Sequence, residues 1–197
     1  MSLDLWVADT EAHCQPVDLA QSYLLLNHGP VTLVSTAHGG RQNVMAASWA
    51  MPLDFAPPKV LLVVDSGAWT RELMEASGEF ILNIPARRIA AEVLAAGSQS
   101  GRDGDKFAAC NIGRFAAEKV AAPRIAGCVA WLECRIVPEP HNQHRYDLFI
   151  GEVVAAGADA RVFRDGNWQF DDDALRTLHY LSGGRFLVSG ETLQMAK

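Results

Sequence analysis

The residues of this chain best suited to chemistry are donors and cations that could hold an anion, not a nucleophile with its base. Ala46-Ala47-Ser48 is a run of small residues that lets a main chain approach a ligand closely, and the Ser48 hydroxyl is a natural hydrogen-bond donor to a phosphate. Ser66 and Thr70 bracket the expected start of a helix, where unpaired backbone N–H groups and the positive end of the dipole attract a phosphate. Lys106, in the turn Asp105-Lys106-Phe107, could bring a cation to the same group. Each has a plainer use. The small residues could simply pack a core strand, Ser66 or Thr70 could only cap the helix, and a lone lysine could be solvated.

Other chemistries find no support. Ser48 lies in no G-x-S-x-G, no H-E-x-x-H occurs, and nothing in the spacing of Asp and Glu pairs two carboxylates. Cys14, Cys110, Cys128 and Cys134 lack C-x-x-C spacing, which argues against a zinc knuckle or a dithiol; they read as small hydrophobes of a reducing compartment.

The elements that must position these residues are mostly strands. Two β-rich runs, near 31–37 and 43–50, flank His38-Gly39-Gly40-Arg41, a tight-turn signal, and predict a hairpin. Pro57-Pro58 breaks the chain before Lys59 to Asp65, a short apolar run suited to a strand buried on both faces. Ala68 to Ser77 predicts a helix stopped by Gly78, and Phe80 to Ile84 returns to strand. Arg87 to Ala96 predicts a second helix ending before Gly97, followed by a Gly/Ser-rich loop to Gly104 and an ambiguous stretch from Lys106 to Phe115. Cys128 to Val137 and Tyr146 to Ala155 are the clearest strands of the second half, expected as neighbours across a turn. After Ala160 the chain looks peripheral, with a short strand near 161–163 and a turn at Asp165-Gly166-Asn167. Six or seven strands with two or three helices between them predict a mainly β (α+β) antiparallel barrel, not a βαβ ladder.

The chain length suits one domain over 1–197, with a core at about 20–160 and a C-terminal tail at 161–197. Hydrophobic residues at 49% and charged residues at 20% are ordinary globular proportions, and the apolar stretches are far too short to span a bilayer. A net charge of −6 disfavours nucleic acid and leaves a small molecule as the expected partner. The opening MSLDLWVADTEAH has neither the basic start nor the apolar stretch of a secretory leader, so a cytoplasmic location is expected.

Several motifs in order carry a resemblance. Asn43-Val44-Met45-Ala46-Ala47-Ser48-Trp49 resembles the N-x-M-(T/A)-x-S-W segment of flavin reductase-like and flavoredoxin-like proteins. Thr70 to Leu73 and Gly78 to Pro85 (GEFILNIP) resemble the helix and the F-x-(V/L)-N-(I/L)-P strand of that family. Gly101 to Phe107 (GRDGDKF) resembles its loop ending in D-K-F, and Phe149 to Val153 (FIGEV) its (I/V)-G-E-V strand. The resemblance covers roughly residues 25 to 155 and, more weakly, Tyr180 to Phe186. Any one motif alone would be a weak signal.

The resemblance implies an antiparallel FMN-binding split β-barrel, a homodimer holding FMN rather than FAD near the subunit interface. It further implies cofactor contacts from Ala46, Ala47, Ser48, Trp49, Asp65, Ser66, Thr70, Lys106 and Phe107; Trp49, Phe107, Tyr180 and Phe186 are candidate aromatic neighbours of the ring or the rim of its pocket, and equally core or dimer-interface residues. The redox chemistry would reside in the flavin, with no catalytic side chain and no metal, and electrons would pass from NAD(P)H to flavin, a protein or a small molecule. Many such relatives place the histidine of a Gly-Asp-His five residues before the glycine of I-G-E-V. Here that position is Tyr146, and His144 is two residues out of register, which favours a flavoredoxin-type carrier without a nicotinamide site; a module that senses or stores flavin is a further alternative.

Overall fold

The computed structural model describes residues 3–102 and 104–195. It opens with a helix the sequence pattern does not announce, α1 (Leu3–His13), in which Thr10 is the buried residue; its hydroxyl bonds back to the Trp6 carbonyl and accepts from the Gly127 N–H. The short strand β1 (Cys14–Pro16) and a 3-10 turn at Leu19–Leu25 follow. Gly39 and Gly40, at φ of 57° and 76°, make the expected hairpin turn between β2 (Thr32–His38) and β3 (Arg41–Ala47), a conformation a β-carbon would strain.

The expected strand 43–50 in fact ends at Ala47. Beyond Ser48-Trp49 begins a strand of its own, β4 (Ala50–Phe55), paired with β5 (Pro58–Val63). Pro52 and Asp54 disguise β4 in the sequence, and the structure shows why they are tolerated: β4 is an edge strand, where ladder donors are not all needed. β5 is not buried on both faces as expected; Val60 and Leu62 point inward while Lys59, Leu61 and Val63 are half-buried.

Helix α2 (Trp69–Ser77) stops at Gly78 in the left-handed region (φ 75°), as the sequence requires, and leads into β6 (Glu79–Pro85). The second helix begins with a 3-10 turn at Arg87–Ile89 and continues as α3 (Ala90–Ser98), through Gly97 rather than ending before it. The ambiguous stretch resolves into a single turn of helix, α4 (Lys106–Ala109), capped by the Asp105 carboxylate, and a small ribbon of β7 (Arg114–Phe115) with β8 (Arg124–Ile125). Strand β9 (Cys128–Val137) matches its expectation. It pairs with β10 (Leu148–Asp159), but the two are joined by a helix, α5 (Pro140–Tyr146), not by a turn.

All pairings in the eight-stranded sheet are antiparallel, in the order β3-β2-β6-β9-β10-β5-β4 with β1 added along β10. Alternation along the strands builds a core on each face: Phe80, Leu82 and Ile84 of β6 join Leu132, Phe149 and Val153, whereas Ile81 joins Leu33, Trp131 and Phe107 on the other side. The segment after Ala160 is less peripheral than expected. Ribbons β11 (Phe163–Arg164) with β12 (Asn167–Trp168), and β13 (Leu178–Ser182) with β14 (Arg185–Val188), bring Phe163 and Leu178 into the cores, and the 3-10 turn between them (Asp173–Leu175) brings Leu175. No helix among the described residues is long and apolar enough to cross a membrane.

Candidate functional site

Five of the nine expected site residues line a groove between edge strand β3, the start of α2 and the end of α3. Its first part is a concavity of about 310 Å3 lined by Asn43, Ala46, Thr70, Gly97, Gly101 and Lys106, with Trp69 and Ser98 among its other walls. Lys106 is only 4% exposed, yet no described residue gives its ammonium a hydrogen bond or an ion pair. Burial pushes this lysine below its ordinary range, the direction expected when a cation without a counter-ion is partly withdrawn from water. An anion in the groove would supply what the chain withholds.

The surroundings of Lys106 point the same way. Ala68 occupies the cap position of α2 and offers no side chain to its first turn; the Arg71 N–H is taken by the Ala68 carbonyl, which leaves those of Trp69 and Thr70 for an outside acceptor. Asn43, fully buried, donates to the Thr70 hydroxyl at 2.8 Å while its other amide atom, Oδ1, has no partner. Gly101 closes the loop over this pair: a β-carbon there would lie 2.2 Å from Asn43 Oδ1 and 3.2 Å from the Trp69 ring. Glycine is required by proximity, not by φ.

Continuous with this end, and sharing Ala46, Gly97 and Ser98 with it, is a more apolar hollow of about 160 Å3 lined by Ala47, Ser48, Val93, Leu94, Tyr180 and Phe186. The two aromatic rings come from the β13–β14 hairpin and sit 5.4 Å apart. Ser48 and Thr70 therefore stand in different parts of the groove, and only Thr70 shares a wall with Lys106.

Of the nine residues implied at the outset, Ala46, Ala47, Ser48, Thr70 and Lys106 line the groove. The other four stand elsewhere. Trp49 is 71% exposed, beyond the end of β3. Phe107 is a core residue beneath Arg114. Asp65 accepts from the Gly67 N–H at 2.8 Å and shapes the loop, and Ser66 is exposed ahead of a helix that begins two residues later than a Ser66 cap would place it. Tyr146, at the end of α5, is 59% exposed and lines neither hollow. His141 and His144 belong to α5 rather than to a loop, with His141 edge-on to Tyr146. Asn43, Gly97 and Gly101 went unassigned in the sequence, although Asn43 opens the N-x-M segment and both glycines lie in the Gly/Ser-rich loop.

A model of the flavin reductase like domain family matches residues 25–183, and the chain belongs to that family. It is 46% identical over 179 residues to the uncharacterised protein YddH of Escherichia coli K12, covering 89% of this chain and 95% of YddH. Among solved structures it is similar to an FMN-binding domain of a flavin reductases-like enzyme from Shewanella baltica, with 45% identity, a TM-score of 0.90, and coverage of 93% and 97% of the two chains. It is similar also to flavoredoxin of Desulfovibrio vulgaris, at 26% identity and a TM-score of 0.74 over 85% and 90%. The fold is accordingly the antiparallel split barrel of that family.

Proposed function

We propose that this protein is an FMN-binding oxidoreductase that works as a homodimer and carries electrons from NAD(P)H to flavin or another acceptor. The observation that carries the reading is the buried, unpartnered Lys106 beside Thr70 and the uncapped start of α2, a donor set matched to a dianionic phosphate. Lys106, the Thr70 hydroxyl and the first N–H groups of α2 would hold the phosphate. The small Ala46 and Ala47 leave room for the body of the ligand, and Ser48, Tyr180 and Phe186 would meet its planar end. When bound, FMN supplies the redox chemistry. The chain itself binds, orients and shields.

A homodimer is supported by β4. Met51, Leu53 and Phe55 of this edge strand, with Trp49 just before it, are all exposed, an apolar surface that a partner subunit would cover. The cytoplasm is the location this reading carries.

The exposed Tyr146 favours a second reading, a flavoredoxin-type carrier that holds FMN without a nicotinamide site. One experiment tests both. The visible spectrum of the purified protein is recorded before and after anaerobic NADH or NADPH; flavin bands near ~450 nm that bleach establish the reductase. Bands that resist both nucleotides establish the carrier, and no bands even after added FMN would overturn the flavin reading. Within that reading, Thr70→Ala with Ser48→Ala is expected to weaken FMN binding by about 2–3 kcal/mol, with more of the loss from Thr70.

A further inference from the structure

The β13–β14 hairpin supplies Tyr180 and Phe186 to the apolar end of the groove, yet it stands outside the eight-stranded sheet and is fixed to the molecule at one end only. At its base Thr177 and Leu178 are buried. The Leu178 carbonyl accepts from the Val31 N–H at 2.8 Å and the Thr177 carbonyl from the Ser189 N–H at 3.0 Å. Arg176 grips the outgoing chain through the Ser189 and Gly190 carbonyls, at 3.1 and 2.7 Å. The last polar tie is at His179, whose Nδ1 meets the Gly29 carbonyl at 2.9 Å. Beyond it, among the described residues, positions 180–187 make no hydrogen bond or ion pair outside the hairpin itself.

The tip is therefore held by apolar contact alone. Phe186 leans on the core cluster that contains Val93 and Leu178, and the turn at Gly183-Gly184 approaches Leu94 of α3. Contact of this kind is non-directional, and a segment with few buried contacts opens at little cost. Just above the base the ladder shifts register between Tyr180 and Ser182, an irregularity that bends the strand carrying it.

The resting position is also too tight for a ligand. The Lys106 part of the groove measures about 310 Å3, the part closed by Tyr180 and Phe186 only about 160 Å3. A molecule with a phosphate at one end and a planar ring system at the other would bring its bulk to the narrower half. The remaining walls there, β3 and α3, are built into the core through Val44, Val93 and Ala96, so the hairpin is the wall that can yield.

We infer that the β13–β14 hairpin is a flap, hinged at its base, that lifts to admit a ligand and closes Tyr180 and Phe186 on its planar end. What the flap closes on rests on the flavin reading above; that it moves does not.

The test is thiol trapping with N-ethylmaleimide on the full chain, with and without saturating FMN, each cysteine being followed by peptide mass spectrometry. Val93→Cys places a thiol on the buried wall beneath the hairpin, and Ala96→Cys places one on the same helix, in the Lys106 part of the groove. Cys128, with no exposed surface, reports unfolding of the whole chain. Circular dichroism checks that the variants fold, and flavin fluorescence that they bind FMN. Without FMN, Cys at position 93 is expected to react at least tenfold faster than Cys at position 96 and a hundredfold faster than Cys128, and FMN should slow it tenfold or more. Labelling at 93 no faster than at 96 would overturn the flap, as would a rate at 93 unchanged by FMN that is seen to bind. Rapid labelling at 93 in a protein that binds no FMN would overturn the flavin reading alone and keep the moving hairpin.

Discussion

Glu133 and Lys106 are both buried charges, and the chain treats them in opposite ways. The Glu133 carboxylate, with no exposed surface, accepts from the Glu118 N–H at 2.9 Å, the Lys119 N–H at 2.6 Å, and Arg124 Nε and Nη2 at 2.8 and 2.6 Å. It ties the 118–124 segment to β9. Lys106 is nearly as deep and has no such partner. A buried charge costs several kcal/mol unless its hydrogen-bonding capacity is filled, so the first arrangement serves the fold, and the second is tolerable only where something outside the chain completes it.

Glu133→Ala is expected to give the largest effect. It strands Arg124 and two N–H groups, and the urea midpoint should fall by the equivalent of about 3–5 kcal/mol. A loss below 1 kcal/mol would remove the contrast. His28, half-buried with its Nδ1 out of reach of water, falls between the two. Its Nε2 meets the Thr177 hydroxyl at 2.9 Å, its Nδ1 has no partner, and burial, aided by His179, holds it at about 4 against an ordinary 6.5. Because the folded value is the lower one, the unfolded chain takes up the proton first. Stability is therefore full above about pH 6.5 and declines as the pH falls toward 4, by up to about 3 kcal/mol. Urea midpoints at pH 7.5 and 4.5 measure this, and His28→Gln should flatten the difference.

Lys106→Met sharpens the comparison from the other side. FMN affinity should drop about tenfold to a hundredfold, following ~1.5–3 kcal/mol for a hydrogen bond to a charged group. The thermal midpoint of the flavin-free protein should hold or rise, since an unpaired buried cation has been removed. A midpoint falling as far as in Glu133→Ala would make Lys106 a structural residue. The smallest effect is expected from Gly101→Ala, which pushes on Asn43 and Trp69 and should lower the urea midpoint by the equivalent of about 1–2 kcal/mol, with a loss of FMN affinity of similar size.

What could be read in the sequence were features with a local cause. The β2–β3 turn follows from Gly39-Gly40, the end of α2 from Gly78, and β9 from ten uninterrupted residues of strand character. The elements that escaped owe their form to distant partners. Helix α1 has no clean apolar stripe and is held by contacts such as Thr10 to Gly127, Arg88 to Asp9 and Arg161 to Asp9. Helix α5 buries no residue and is tied down by Arg71, which reaches the Gln143 carbonyl at 2.7 Å and the Asp147 carboxylate. The candidate site divides likewise. Lys106 and Thr70 are recognisable by type, but that one lacks a partner and the other is bonded to Asn43 is a fact of three dimensions.

The strand order has β3 at one end and β4 at the other, although only Ser48 and Trp49 separate them in the chain. On one side of that link the Ala47 carbonyl accepts from the Thr32 hydroxyl, and on the other the Trp49 carbonyl accepts from the Val63 N–H. The sheet thus has a single seam, crossed by a two-residue link that passes the proposed ring end of the groove. A ligand gripping Ser48 would restrain both margins of the seam at once, so amide protons of β3 and β4, far apart in the ladder, should slow their exchange with solvent together when the groove is filled.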